Sequence, residues 1–335
     1  MDMIKIGLPP VMLATLLVVG CGGGGDNRPD ESGAQSTPLT LDADGLADKQ
    51  VALREQGDFD AAMESYWAVS GILFLFGDIE ESLQGVSGEP DGSLVEVPDI
   101  PPGGTVACAN SGGTAVIESS ALESGGSYRI LFDNCRVNTA SHGSYILDGS
   151  YLANWSESQD KTDSSIIQNY DITGTQLGAE GQSRDIRVKG SLISKIRELW
   201  EPDPESTPNE PRENILVGFD VSIQWPVLEV FVGDDYFAMR DSEFDYVQTA
   251  GEVSFGWNVD LISSVLGGSV SFTTPRKVVL ADGDECPRYG HLVLESDGKI
   301  EMRYGMSSGR GTGMEVLVND SDVIYLNSCS AILSL

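Results

Sequence analysis

The sequence predicts a mainly β fold, namely a many-stranded antiparallel sheet preceded by one N-terminal α-helical segment. Short segments of alternating apolar and polar residues follow one another from residue 105 to the end, separated by Gly, Asn, Asp or Ser. A good helical pattern occurs only before residue 85. Strands and helices do not alternate, which disfavours a parallel sheet. Barrel, half-barrel and sandwich layouts all fit this pattern.

The chain begins with a segment typical of a signal peptide. Lys5 supplies a positive charge, and residues 6–19 form an apolar stretch. This stretch is short for a membrane span, which needs about 20 residues. Residues 18–21 are two valines, a glycine and Cys21, and they resemble the lipobox of bacterial lipoproteins. That resemblance implies removal of residues 1–20 and lipidation of Cys21. The alternative is an ordinary cleaved signal with an incidental cysteine.

Residues 21–41 are predicted to form a flexible tether. Four glycines follow Cys21, and then come Pro, Ser, Asp and Gln. Acyl chains contribute about 0.8 kcal/mol per buried methylene, so the membrane is the partner expected through the lipid anchor. Residue 22 is Gly, not Asp. By resemblance to enteric lipoproteins, where Asp favours inner-membrane retention, this implies the outer membrane, facing either the periplasm or the cell surface.

The strong negative charge of the chain excludes several classes of partner. There are 52 acidic and 20 basic residues, which gives a formal net charge of −32. Such a chain repels nucleic acid and anionic head groups, so we expect no nucleic-acid partner. The charge favours a solvated surface screened by counter-ions, and the alternative is binding of divalent cations or a basic partner. A protein or glycan partner stays unspecified.

Residues 42–84 form the predicted helical segment. Asp58 suits a helix cap, and acidic residues crowd the early turns. The most apolar part, residues 72–76, is too short to span a membrane, so we expect the segment to pack on the β domain. The apolar residues that recur at helical spacing are Phe59, Met63, Trp67 and Phe74.

The antiparallel β domain is predicted over residues 105–335. Glycines such as Gly149 and Gly190 accompany several segments and suit bends or bulges of the sheet. Residues 201–213 hold four prolines and five acids, which predicts an exposed loop between two strands. The alternating segments are 128–132, 145–155, 186–196, 215–232, 243–247, 253–257, 270–273, 291–295, 300–304 and 315–318.

Four cysteines remain when Cys21 carries lipid, and an even number suits disulfides in the envelope. Three pairings are open. The stretches from Cys108 to Cys135 and from Cys286 to Cys329 look like copies, since in each a cysteine opens one strand and another closes a later one. We therefore expect the disulfides Cys108–Cys135 and Cys286–Cys329. Internal duplication and convergent strand–turn patterns both explain the similarity.

The combination of lipobox, polyglycine, one helix and a cysteine-framed β segment also resembles uncharacterised β-rich outer-membrane lipoproteins of Gram-negative bacteria. The resemblance is loose, although it spans most of the chain. It implies no established activity.

Candidate catalytic motifs lack the partners that they need. Residues 305–309 match G-x-S-x-G, but their flanks are β and no histidine follows. His142 and His291 do not have zinc-site spacing. A glycosidase-like pair of carboxylates stays open, because the sequence does not show burial. The sequence favours a non-enzymatic role and assigns no catalytic residue.

Two further groups of residues are candidates for ligand binding. Asp282, Asp284 and Glu285 lie in a predicted turn before Cys286 and are candidate ligands for Ca²⁺, the one cofactor considered; the alternative is an ordinary acidic turn. Four tryptophans near strand ends suit either stacking on sugars or the core. They are Trp155, Trp200, Trp225 and Trp257.

These observations predict a membrane-tethered cell-envelope lipoprotein with a non-enzymatic binding or structural role. One alternative is a carbohydrate-active or carbohydrate-binding envelope protein. The other is a periplasmic lipid or lipoprotein carrier with a concave half-barrel, which requires a large apolar cavity.

Overall fold

The fold is a single antiparallel sheet of fourteen strands preceded by two α-helices. The structure is a computed structural model. Each strand is hydrogen-bonded to the next one along the chain, so β1 and β14 form the two edges. This confirms the predicted mainly β class with an N-terminal helix. The structure describes residues 43–84, 104–108, 112–122, 125–139, 143–158, 162–178, 183–202, 214–281, 284, 286–307, 312–320 and 322–326.

The elements have the following bounds. The helices are α1 (Ala43–Ala47) and α2 (Gln56–Gln84). The strands are β1 (Gly104–Ala107), β2 (Thr114–Leu122), β3 (Gly125–Thr139), β4 (Gly143–Glu157), β5 (Asp163–Leu177), β6 (Ser183–Glu201), β7 (Ile215–Val232), β8 (Asp235–Thr249), β9 (Glu252–Ser263), β10 (Gly268–Ala281), β11 (Tyr289–Ser296), β12 (Gly298–Ser307), β13 (Thr312–Val318) and β14 (Asp322–Leu326).

All ten segments predicted as strands lie within strands of the structure, and β1, β2, β5 and β14 were not predicted. β5 shows why. Only Tyr170 and Ile172 of this strand are buried, and most of its other residues are half-buried on both faces. Without one clearly buried face, the alternation is weak. The predicted loop 201–213 falls between β6 and β7, and its residues 203–213 lie outside the described residues.

The predicted helical segment is divided in two. α1 is followed by an extended stretch, residues 48–55, which we call the strap, and α2 begins after it. Asp58, the third residue of α2, caps the helix. Its carboxylate accepts hydrogen bonds from the backbone N–H groups of Arg54 (2.6 Å) and Glu55 (2.9 Å). Phe59 and Met63 are buried as predicted. In α2 the description of the side chains ends at Gly71, so Phe74 lies beyond it.

The sheet curves around α2. The helix backbone lies closest to β3 on one side and to β7, β8 and β9 on the other. β4, β5 and β6 lie between these strands in the sheet and approach the helix less closely. We call the face that packs against α2 the helix-side face. Of the three layouts that the sequence allows, this open curved sheet corresponds to the half-barrel.

A glycine lies at one of the bends. Gly190 in the middle of β6 has φ +139°, and a Cβ there would lie 2.2 Å from the carbonyl oxygen of Val227. The pairing of β6 with β7 shifts register directly after it, between Ser191 and Ile193. A residue with a side chain would be strained and would clash, so glycine is required where the sheet bends.

The strap carries the chain from one face of the sheet to the other. Leu46 and Ala47 of α1 pack on Tyr236, Ala238 and Ile262, on the face opposite α2. The strap then forms parallel bridges with Ser269 at the start of β10 and with Asp297 between β11 and β12. It leads into α2 on the helix-side face, so the strand ends are held between the two helices.

Leu53 fixes the end of the strap. Its side chain is fully buried, and its carbonyl oxygen accepts a hydrogen bond from Asn319 Nδ2 at 3.1 Å. Gly298 (φ +131°) allows this approach, because a Cβ there would lie 2.4 Å from the same oxygen.

One predicted disulfide is present and holds the first strands together. Cys108, directly after β1, is bonded to Cys135 in β3, with a Cα–Cα distance of 5.3 Å. Both cysteines are buried. Cys286 is also disulfide-bonded. Cys329, its predicted partner, lies outside the described residues, so that pairing and the internal duplication stay predictions.

Among the described residues, no helix is both long enough and apolar enough to cross a membrane.

Candidate functional site

A row of side chains crosses six neighbouring strands on the helix-side face. Its members occupy directly paired positions and are all half-buried. We call them the cross-strand row: Trp155 (β4), Ile166 (β5), Ser194 (β6), Ile223 (β7), Phe244 (β8) and Trp257 (β9).

The row borders the hydrophobic core. Its apolar members pack against the buried core residues. Trp257 ties the row to the helix, because its Nε1 donates a hydrogen bond to Tyr66 Oη at 3.1 Å. Phe244 and Trp257 lie in ring contact at 5.7 Å. At the other end, Trp155 lies 6.1 Å from the ring of Tyr128.

The exposure of the row changes along the strands. Towards the strap end of the sheet, the next residues on this face are fully buried, among them Leu192 of β6 and Trp225 of β7. In the other direction, Ile196 and Val221 form a second half-buried pair of neighbours. The row and this pair together form a half-buried apolar strip, which is two residues deep on β6 and β7 and one residue deep elsewhere.

The four tryptophans divide between the core and this strip. Trp225 is 1% exposed and belongs to the core, and its indole N–H has no acceptor among the described residues. Trp200 is 44% exposed and donates to Glu198 at 3.0 Å. Trp155 and Trp257 lie at the two ends of the row. The core interpretation therefore holds for Trp225, and two tryptophans line a surface that a ligand can reach.

A second surface, the polar cleft, lies at the ends of β4–β7. Its volume is about 470 Å³. Lys195 lies between Ser165 and Ser222 of the neighbouring strands. These three residues are next in sequence to residues of the helix-side face, so their side chains lie on the opposite face of the sheet. The serines that line the cleft are Ser156, Ser158, Ser164, Ser165 and Ser222.

The charges of the polar cleft are partly compensated. Arg197 stands between Asp163 and Asp220 in register, and its Nε donates to Asp163 Oδ1 at 2.8 Å. This hydrogen bond raises the pKa of the Arg197 guanidinium. Among the described residues, no carboxylate lies within ion-pair distance of Lys195. Hydroxyls, carboxylates and an available ammonium group suit a polar, hydroxyl-rich ligand.

A buried charge network lies on β11–β13, on the face opposite α2. The Glu301 side chain is only 4% exposed. Its carboxylate accepts hydrogen bonds from Arg303 Nη2 (2.6 Å) and Nε (3.1 Å), contacts His291 Nε2 at 3.0 Å and also pairs with Lys299. Arg303 extends the network to Glu315, at 3.8 Å.

The network holds Glu301 as a carboxylate. Burial alone would raise the pKa of Glu301, but hydrogen bonds from Lys299 and Arg303 outweigh it and lower the pKa to about 2. A carboxylate with so low a pKa is a poor proton acceptor near neutral pH. The arrangement therefore stabilises the pairing of β11, β12 and β13 and is not suited to acid–base catalysis.

Of Cys21 and the three candidate Ca²⁺ ligands, the structure describes only Asp284. Cys21, Asp282 and Glu285 lie outside the described residues, and Asp284 is paired with Arg288 at 2.7 Å. Within the described part of the chain, no three His, Cys, Asp or Glu side chains are placed to hold a metal ion.

The G-x-S-x-G match at residues 305–309 and the two histidines lie only partly within the described residues. Ser307 ends β12, residues 308–311 lie outside the described residues, and the next described element is the strand β13. His142 lies outside the described residues, and His291 belongs to the Glu301 network.

The sequence identified the two tryptophans of the row as candidates. It did not identify the four residues between them, because the register of six strands decides which side chains lie side by side. The Glu301 network did leave a signal. Lys299, Glu301 and Arg303 alternate along one strand and so lie on one face.

Comparison with known protein families, with curated proteins and with solved structures finds no match to this chain.

The Glu301 network predicts a specific dependence of stability on pH. Because the pKa of Glu301 is about 2 in the folded chain and 4.5 is its ordinary value, its ionised form stabilises the fold above about pH 4.5. This contribution is lost as the pH falls towards 2. At about pH 7, Glu301→Gln should lower the free energy of unfolding by about 2 kcal/mol in urea titrations.

The difference between wild type and Glu301→Gln should shrink between about pH 4.5 and pH 2. Glu295→Gln, at an exposed position of the neighbouring strand, is the control and should change stability by less than about 0.5 kcal/mol. A difference that stays constant down to pH 2 would contradict this interpretation.

Proposed function

We propose that the chain is a membrane-tethered cell-envelope lipoprotein that acts by binding a ligand rather than by catalysis, with the cross-strand row as its binding surface. The observation that carries this proposal is the half-buried row over six strands. Indole, phenyl and branched aliphatic side chains bury ligand surface, but they do not exchange protons with it.

The position of α1 is compatible with tethering at a distance. α1 lies on the face opposite α2, near β9 and β10. The tether proposed for residues 21–41 precedes it directly. A flexible chain of this length has an r.m.s. end-to-end distance of about 25 Å. A domain held by such a tether can bind its ligand without lying on the bilayer.

Glycan binding is the second candidate function, and the polar cleft is the observation that favours it. Five serines, Lys195 and Arg197 line it together with carboxylates. Sugars present many hydroxyls that donors and acceptors of this kind can bind. The cleft lies at the strand ends beside the row, because Ser164 and Ile196 line it from the helix-side face and Lys195 lines it from the opposite face.

The anchor is tested by cell fractionation of wild type and Cys21→Ser. We expect wild type in the outer-membrane fraction and the variant in the soluble fraction, because only a lipidated Cys21 provides the acyl chains. Ser36→Ala, which changes the proposed tether but keeps Cys21, is the control and should fractionate like wild type. A Cys21→Ser protein that stays in the membrane would contradict the proposed anchor.

The binding role is tested by thermal unfolding of the soluble Cys21→Ser protein with two extracts of Gram-negative envelope, one of polysaccharide and one of lipid. A ligand that binds only the folded state raises Tm. We expect one extract to raise Tm, and Phe244→Glu to reduce that rise if the row is the site. Lys195→Ala should reduce it if the cleft is the site. Unchanged Tm with both extracts would overturn the binding function.

A further inference from the structure

We propose that the cross-strand row binds the acyl chain of an amphiphile whose headgroup is zwitterionic or uncharged. This inference rests on the proposed binding function and names the ligand class for the same surface.

The chemistry of the row fits a hydrocarbon chain. Five of its six members are aromatic or branched aliphatic, and the sixth, Ser194, is small and uncharged. Ile196 and Val221 continue this character in the next row. A ligand along this row would meet apolar surface except at Ser194, and the favourable free energy grows with the apolar area removed from water.

The length of the row also fits. Trp155 and Trp257 are separated by five strand spacings, which amounts to about 24 Å along the sheet. One acyl chain fills half of a bilayer core, or about 15 Å. The row therefore accommodates an extended chain and leaves space at one end for a headgroup.

The small area of the strip disfavours a globular protein as the occupant. At its deepest, on β6 and β7, the strip extends about 14 Å along the strands, so its area is less than roughly 300 Å². A stable protein interface needs about 800 Å² on each partner. In addition, α2 lies close to β3 and β7–β9 on either side of β4–β6, so the part of the strip on β4–β6 is bounded by the helix and suits a thin ligand.

Nearby charges select the headgroup. Glu157 pairs in register with Ser164, and Glu198 lies two residues beyond Ile196, so both carboxylates stand on the helix-side face next to the row. The chain as a whole carries a net charge of −32. Lys195 and Arg197 line the polar cleft beside the row, but the carboxylates of Glu157, Asp163 and Asp220 in that cleft outnumber them. An anionic headgroup would therefore be repelled, whereas the positive group of a zwitterion would lie beside the carboxylates.

Binding is measured by quenching of tryptophan fluorescence, using lysophosphatidylcholine with a brominated acyl chain as the probe, below its critical micelle concentration. We expect saturable quenching, because Trp155 and Trp257 line the row. Trp155→Phe should lower its amplitude. A brominated fatty acid, whose headgroup is a carboxylate, should bind at least about tenfold more weakly.

Two adjacent residues of β5 provide the matched variants. Ile166 lies in the row, whereas Ile167 is 42% exposed on the opposite face. Ile166→Glu should raise the half-saturating concentration at least about tenfold, because a carboxylate would be placed against hydrocarbon. Ile167→Glu should leave it within about twofold. Circular dichroism checks the fold of both, and Ile196→Glu replaces Ile166→Glu if that variant does not fold.

Three results would overturn the proposal: no saturable quenching, equal effects of the Ile166 and Ile167 variants, or tighter binding of the fatty acid. If the polysaccharide extract alone raises Tm, the chain does bind a ligand, but the proposal that this ligand is an acyl chain is wrong. If neither extract raises Tm and quenching is absent, both the binding function and the acyl-chain ligand are wrong.

Discussion

The structure depends on one constraint: a single long helix has to cover one face of a fourteen-stranded sheet. Laid flat, fourteen strands would span about 60 Å, whereas a helix with its side chains is about 10 Å wide. The sheet therefore bends, so that β3 and β7–β9 both reach α2. The buried core lies where helix and sheet approach each other. The part of the half-buried strip on β4–β6 lies where the same curvature carries the strands away from the helix.

The strap fixes the position of α2 along the sheet. A helix that only lay in a curved sheet could slide along it, but residues 48–55 are bonded to the ends of β10, β11 and β12, and Leu53 is fully buried. The start of α2 is thereby fixed. α1 lies on the other face, so the described part of the chain begins on the side opposite the cross-strand row.

The elements of the fold that depend on local sequence patterns were predictable. Alternation identified ten strands, and a 3.6-residue period identified the helix. β5 was missed because Tyr170 and Ile172 are its only buried residues. The break before α2 was missed because the strap is held by distant partners, such as Ser269 and Asp297. The disulfide Cys108–Cys135 was predictable because the stretch between these cysteines resembles the stretch from Cys286 to Cys329, with one cysteine opening a strand and another closing a later one.

The site was less predictable, because register decides it. Ile166, Ile223 and Phe244 meet only because the hairpins place them in one row, and the register shifts around Pro226 and Asp241 help to set that alignment. Trp155 and Trp257 were recognised as candidates from residue type alone. Sequence did not show which face each occupies. The alternation of Lys299, Glu301 and Arg303 was visible, but the burial of Glu301 depends on the folded chain.

The most direct test of an open helix-side strip is the native-state reactivity of cysteines placed along β7, with the native disulfides left oxidised. Val221 lies in the strip, Val230 is fully buried on the same face, and Val227 is 39% exposed on the opposite face. Val221→Cys should react with N-ethylmaleimide at a rate closer to that of Val227→Cys than to that of Val230→Cys. If Val221→Cys is protected as strongly as Val230→Cys, the strip is closed and the proposed binding surface does not exist.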